Sequence, residues 1–182
     1  MTEYDSTNDE LKATLTALYS TLVTCGERDS CDVAIVTRLA IQQQVDLRIN
    51  DGPGAVGLSL GADFGNVLVV GAHTAHYPMV KKQYVELNAL ASRLAKETGP
   101  LIVAGDFNAT RQSRVLQDFS RSLDLHATTW LPTYSAVWGL PQLAIDQILV
   151  SPNIEYLGPQ ASGDAAGSDH VPLARSFAIP VP

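Results

Sequence analysis

Leu101-Ile102-Val103-Ala104-Gly105-Asp106-Phe107-Asn108 is the stretch from which the rest of the chain can be read. Its first four residues form a short apolar run, and runs of this length read as buried strands. The strand therefore ends on a carboxylate and a carboxamide set side by side. In open α/β sheets the crevice beyond the strand ends is where ligands bind. A carboxylate there can hold a hard metal ion or take a proton. A neutral amide can hold a phosphate or water oxygen without adding negative charge.

The flanking sequence is patterned to match. Val80 to Lys96 reads as an amphipathic helix with Val85, Leu87, Leu90, Ala91 and Leu94 towards the core, and Arg111 to Leu123 as a helix leaving the motif. Thr7-Asn8-Asp9-Glu10 fits a capping box, and Leu11, Leu15, Leu18 and Leu22 follow at helical spacing, predicting a helix over roughly 8–22. Strands are expected at 32–38, 45–49, 55–60, 66–72, 145–150 and 171–178, with Asn50-Asp51-Gly52-Pro53-Gly54 as a turn. Residues 127–142 form a long loop carrying Trp130, Pro132, Tyr134, Trp138 and Pro141. Consecutive strands followed by alternating helix and strand imply a mixed α/β fold: one sheet with helices outside, or two packed sheets covered by helices. The 182 residues suffice for one domain, 1–182, with a sizeable core.

Charge narrows the function. The 19 acidic residues outnumber the 12 Lys and Arg, giving a net charge of −7. Tight DNA binding, which rests on Lys and Arg neutralising phosphates, is not expected. Close basic pairs such as Lys81-Lys82 and Arg111 with Arg114 form no cluster that tracks a nucleic-acid backbone. A nuclease that uses metal ions at one anionic site stays compatible. No apolar run approaches the ~18 residues of a membrane helix, and the polar, acidic start is unlike a signal peptide. Cys25 and Cys31 share a polar loop and suit either a small disulfide or two thiols. No histidine lies near them to complete a zinc site. A serine hydrolase is not expected: the Gly-x-Ser-x-Gly string Gly57-Leu58-Ser59-Leu60-Gly61 falls within the run read as a strand, not at a strand-to-helix turn.

Other polar groups sit where strands begin or end. His73-Thr74-Ala75-His76 follows the run at 67–72, Asp146 is embedded between Ile145 and Ile148, Ser168-Asp169-His170 precedes the last strand, and Glu3 precedes the first helix. A carboxylate placed like Asp146 needs a partner, because burying one alone is expensive.

Taken in order, His73-Thr74, Gly105-Asp106-Phe107-Asn108, Ile145-Asp146-Gln147-Ile148-Leu149 and Ser168-Asp169-His170 resemble the endonuclease/exonuclease/phosphatase superfamily, from about Glu3 to Phe177. Cys31-Asp32-Val33-Ala34-Ile35-Val36-Thr37-Arg38 also resembles a strand of that family. The resemblance implies a four-layer α/β/β/α sandwich, DNase I-like, with the site at one edge. It implies metal-dependent hydrolysis of phosphoester bonds using Mg²⁺ or Mn²⁺. By position, Asp106 resembles the acid that orients or deprotonates the attacking water, and Asn108 the amide that holds the phosphate. His170 resembles the histidine at the scissile phosphate, Asp146 the carboxylate that orients it, and His73 a second phosphate-side histidine. Glu3 and Asp169 resemble the acids on the metal side.

There are departures from the family's pattern. Gln147 stands where many members carry His, Tyr or Arg. With Glu3 so aligned, the family's first strand, which carries a metal-binding Asn or Asp, has no counterpart, so an N-terminally truncated chain with weak metal affinity is expected. A homodimer could fill the vacated slot. Expected substrates are nucleic acids, phosphorylated small molecules or phosphorylated lipids; the alternatives are a non-catalytic module on the same fold and an envelope phosphoesterase of a membrane-anchored protein. The location implied is cytoplasmic, or an extracytoplasmic domain of such a protein.

Overall fold

The computed structural model describes residues 2–25, 31–62, 65–136 and 142–179. The elements in order are α1 (Asp9–Leu18), β1 (Thr21–Thr24), β2 (Ala34–Thr37), β3 (Ala40–Val45), β4 (Gly54–Ala62), β5 (Gly65–His73), α2 (Val80–Leu94), β6 (Leu101–Asp106), α3 (Arg114–Ser122), β7 (His126–Ala127), β8 (Asp146–Val150), β9 (Glu155–Ser162) and β10 (Leu173–Ala178). Among the described residues no helix is long and apolar enough to cross a membrane.

The central sheet has six strands in the order β3-β4-β5-β6-β8-β7, and two antiparallel pairs, β1-β2 and β9-β10, make a second layer. Pleating sends alternate side chains to opposite faces of the central sheet. On β5, Leu68, Val70 and Ala72 join Val103, Leu149 and the buried faces of α2 and α3 in the larger core. Val67, together with Val56, Leu58, Ile102 and Val150, packs the opposite way against Val23, Ile35 and Phe177 of the second layer. Beyond that layer, Leu15 of α1 and Tyr4 pack on Ala34 and Val36. The result is the α/β/β/α layering expected of a DNase I-like mixed sandwich. Between the two hairpins the central sheet is partly open. Half-buried Val69, Ala104 and Ile148 line a cavity of about 390 Å³ bounded by β2 and by Pro172 and Leu173.

Several expected boundaries shift for local reasons. Asn8, not Thr7, caps α1, its side-chain oxygen accepting from the Leu11 N–H. The helix stops at Leu18, and Thr21-Leu22-Val23-Thr24 is strand, as befits its β-branched residues. The strand expected at 45–49 lies earlier, at Ala40–Val45, because the Asp46 carboxylate takes the Arg48 N–H and guanidinium and turns the chain. Val85 is not a core residue: it is 50% exposed, while Gln83 and Glu86 are buried. β9 was not expected. Only Gln160 of its eight residues is buried, so it lacks the alternation that marks a strand. Cys25 and Cys31 are joined in a disulfide.

Candidate active site

Topology alone brings three of the polar groups together. The connection β5-α2-β6 makes β5 and β6 parallel, so His73 and Asp106 pair at their C-terminal ends. β8 runs antiparallel to β6, which sets Asp146 at its N-terminal end opposite Asp106. His73, Asp106 and Asp146 thus lie in one row across three strands. The fourth group arrives from the loop before β10, where His170 bridges to Tyr134 and the Val171 N–H donates to the Thr133 carbonyl. The Tyr134 ring packs against the His170 imidazole at 5.0 Å between centroids.

Gly105 lets the row form. Its φ is 149°, and a Cβ there would sit 1.9 Å from the Ala72 carbonyl oxygen of β5. Gly105→Ala is therefore expected to force β5 and β6 apart, at a cost of about 3 kcal/mol or more. A wild-type urea midpoint in that variant would contradict this account. At Gly71 a Cβ would meet Val33 at 2.9 Å. That close crossing of β2 over β5 brings Asp32 to His73.

Asp106 is 3% exposed and lies at the centre. Its Oδ1 accepts the Asn108 N–H at 2.8 Å and its Oδ2 the Asn108 amide at 3.3 Å. The same Oδ2 faces His73 Nε2 at 3.6 Å and His170 Nε2 at 4.0 Å. Each histidine is held from behind by its own carboxylate. His73 Nδ1 lies 2.9 Å from Asp32 Oδ2, and His170 Nδ1 lies 2.8 Å from Asp146 Oδ2. The side chains therefore read Asp32–His73, Asp106, His170–Asp146 across the site. Burial pushes the Asp106 carboxyl up to about 6, overcoming the Asn108 N–H and the two histidines, with the Asp146 charge adding to the rise. For His170, burial works against the charged ring. The hydrogen bond to Asp146 and the carboxylates of Asp146, Asp106 and Asp169 outweigh it, so the ring keeps its proton above the usual histidine range.

A buried amide fixes the two loops that carry these groups. Gln83 of α2 donates to the carbonyls of Ala75, Phe107 and Asn108 at 3.0, 2.9 and 3.3 Å. Glu86, one turn on, accepts the Ala75 N–H at 2.7 Å. Thr74 adds a bond from its hydroxyl to the Phe107 carbonyl at 2.6 Å.

Of the residues singled out from the sequence, Glu3, His73, Asp106, Asn108, Asp169 and His170 line one cavity of about 540 Å³, and Asp146 stands behind His170. Glu3 and Asp169 are on its exposed rim. Asp32 and Gln83 carry no role in the sequence reading, which singles out Tyr134 only as part of the aromatic loop. The signal for Asp32 was present, an acid opening an apolar strand, but which histidine it meets depends on the crossing of β2 over β5. Gln147 points away from the cavity and is bonded to Thr129 and the Ala144 carbonyl.

The donor set fits a hard divalent cation, since carboxylates predominate. Asp106, Asp146 and His170 could each offer an atom within 4.8 Å of the others. His170 Nδ1 already holds Asp146, however, and its Nε2 faces Asp106, so these three read better as a hydrogen-bonded Asp146–His170 pair set against the Asp106 carboxylate. That leaves Glu3 and Asp169 as the oxygen donors free on the rim.

A strand-end row of two carboxylate-backed histidines around a buried aspartate lies at one edge of the α/β/β/α sandwich. The chain belongs to the Endonuclease/Exonuclease/phosphatase family, whose model matches residues 2–170. Members of that family are hydrolytic enzymes acting on phosphoester substrates. No curated protein matches the chain in sequence. Among solved structures it is similar to an endonuclease/exonuclease/phosphatase from Beutenbergia cavernae, with TM-score 0.73 and 16% identity over 94% of this chain and 57% of that one. It is similar to a mannosyl-6-phosphatase from Bacteroides thetaiotaomicron, with TM-score 0.67 and 18% identity over 93% of this chain and 81% of that one. It is also similar to a Staphylococcus aureus beta toxin variant with bound magnesium ions, with TM-score 0.64 and 13% identity over 94% and 81% of the two chains. At these identities the likeness is one of fold.

Proposed function

We propose that this chain hydrolyses a phosphodiester with the help of Mg²⁺ or Mn²⁺. The observation that carries the reading is the row itself: one buried carboxylate, raised to about 6, between two histidines that are each tied to a carboxylate. A binding module has no need of such a base, whereas general base catalysis at neutral pH works best with a pKa near the operating pH.

In this reading Asp106 takes a proton from a water as its oxygen bonds to phosphorus. The bond from phosphorus to the leaving oxygen breaks, and His73 gives that oxygen a proton. The Asp106 proton then returns to His73, whose Nε2 is 3.6 Å away, and the site is reset. His170, kept charged by Asp146, stabilises the negative charge that builds on the phosphoryl oxygens, as preorganised donors do in a water-poor site. Asn108 offers an amide to the same oxygens. A divalent ion on Glu3 and Asp169 would supply further neutralisation of the phosphate.

Hydrolysis of bis-p-nitrophenyl phosphate tests the reading. Turnover is expected with millimolar Mg²⁺ or Mn²⁺ and is expected to disappear with chelator and return on adding metal. No turnover with either ion by the folded chain would sink it.

A further inference from the structure

Residues 76–82, which join β5 to α2, are exposed one after another: His76, Tyr77, Pro78, Met79, Val80, Lys81 and Lys82. Their apolar members are unusually open to water, with Tyr77 81% exposed, Met79 38% and Val80 43%, and Val85 one turn further is 50% exposed. Two of the chain's four lysines, Lys81 and Lys82, open this helix beside the tip, in a chain of net charge −7. Three acids share the cavity that Lys81 and Lys82 line: Glu86, buried and 3.6 Å from Lys82, Asp51, and Asp32, which is held by His73. Lys81 has no carboxylate partner among the described residues. An apolar tip bordered by lysines matches the layering of a bilayer surface, where aromatic and aliphatic groups enter the headgroup boundary and ammonium groups stay with lipid phosphates.

We propose that the 77–85 face docks on an anionic lipid bilayer. Tyr77 belongs both to this tip and to the wall of the catalytic cavity, as does His76. Docking therefore sets the cavity against the plane where lipid headgroup phosphates lie. The inference deepens the hydrolytic reading, on which it rests, by assigning the substrate to phosphoesters held at a lipid surface. A nucleic acid fits this face less well, since backbone binding needs a longer track of basic groups.

Co-sedimentation with vesicles tests the docking. The chain is expected to pellet with vesicles of equal parts phosphatidylcholine and phosphatidylserine, to remain in solution with phosphatidylcholine alone, and to be released as salt rises from about 0.1 M to about 1 M. Two variants change only exposed residues: Met79→Ser with Val80→Ser, and Lys81→Glu with Lys82→Gln. Each should melt like the parent by circular dichroism, and the charge variant should bind at least about 30-fold more weakly. Failure of the parent to pellet overturns the proposal, as does equal binding to phosphatidylcholine vesicles or binding that both variants retain. So does a dimer in sedimentation equilibrium that these substitutions dissociate while vesicles are ignored. Turnover of bis-p-nitrophenyl phosphate is read separately: turnover without docking overturns the bilayer alone, and docking without turnover overturns the hydrolytic reading and the substrate assigned through it, leaving the docking face.

Discussion

Asp106→Asn is expected to cut the turnover of bis-p-nitrophenyl phosphate at least about 100-fold, the scale of a lost general base, and to make the folded chain more stable at pH 8. The two effects share one cause. The Asp106 carboxyl titrates at about 6 in the fold against an ordinary 3.8. Between those values the folded chain binds more protons than the unfolded chain, so stability falls as pH rises through that interval. Above it the ionised carboxylate carries its full penalty, up to about 3 kcal/mol. Below about pH 3 the carboxyl is protonated in both states and the penalty is gone. An amide never ionises. The variant should therefore melt several degrees above the parent at pH 8, at ~2–4 °C per kcal/mol for a chain of this size, and the gain should shrink to nothing by about pH 3. The parent's turnover should rise with pH through about 6, as the base becomes available. A variant that melts lower at pH 8, or keeps its turnover, would remove Asp106 from this role.

His170→Ala is expected to lower turnover at least about 100-fold as well, through loss of a charged donor facing the phosphate. Asp146→Asn separates charge from position. His170 keeps its proton above the usual range because Asp146 accepts from Nδ1. Without that carboxylate, burial of the ring acts with less opposition and the proton leaves at lower pH. Turnover in Asp146→Asn should therefore decline at lower pH than in the parent, while the acid limb, set by Asp106, moves less. An unmoved alkaline limb in Asp146→Asn would mean that His170 does not work as an imidazolium.

Much of this was legible in the sequence because the signals were local. The run Leu101–Ala104 is too short and apolar for anything but a buried strand, so the polarity of Asp106 and Asn108 fell at a strand end whatever the rest of the fold. Asp146, set among Ile145, Ile148 and Leu149, demanded a partner on energetic grounds alone, and it has one in His170. Local signals also explain the errors. Val85 follows the helical apolar spacing, yet it is exposed because α2 turns Gln83 and Glu86 inward to hold the carbonyls and N–H of the loops after β5 and β6. A backbone group that needs a partner outranks the periodicity of one valine.

The sequence by itself determined that polar side chains end its apolar strands, since strand length, period and burial cost are properties of neighbours along the chain. It also determined the resemblance that implied a four-layer sandwich. Only the tertiary structure decided which residues meet. The parallel pairing of β5 with β6 and the antiparallel pairing with β8 put His73, Asp106 and Asp146 in one row, and the absence of a Cβ at Gly71 lets β2 bring Asp32 to His73. Those meetings depend on register between strands far apart in the chain. Register is set by how whole faces pack, which no short stretch of sequence contains.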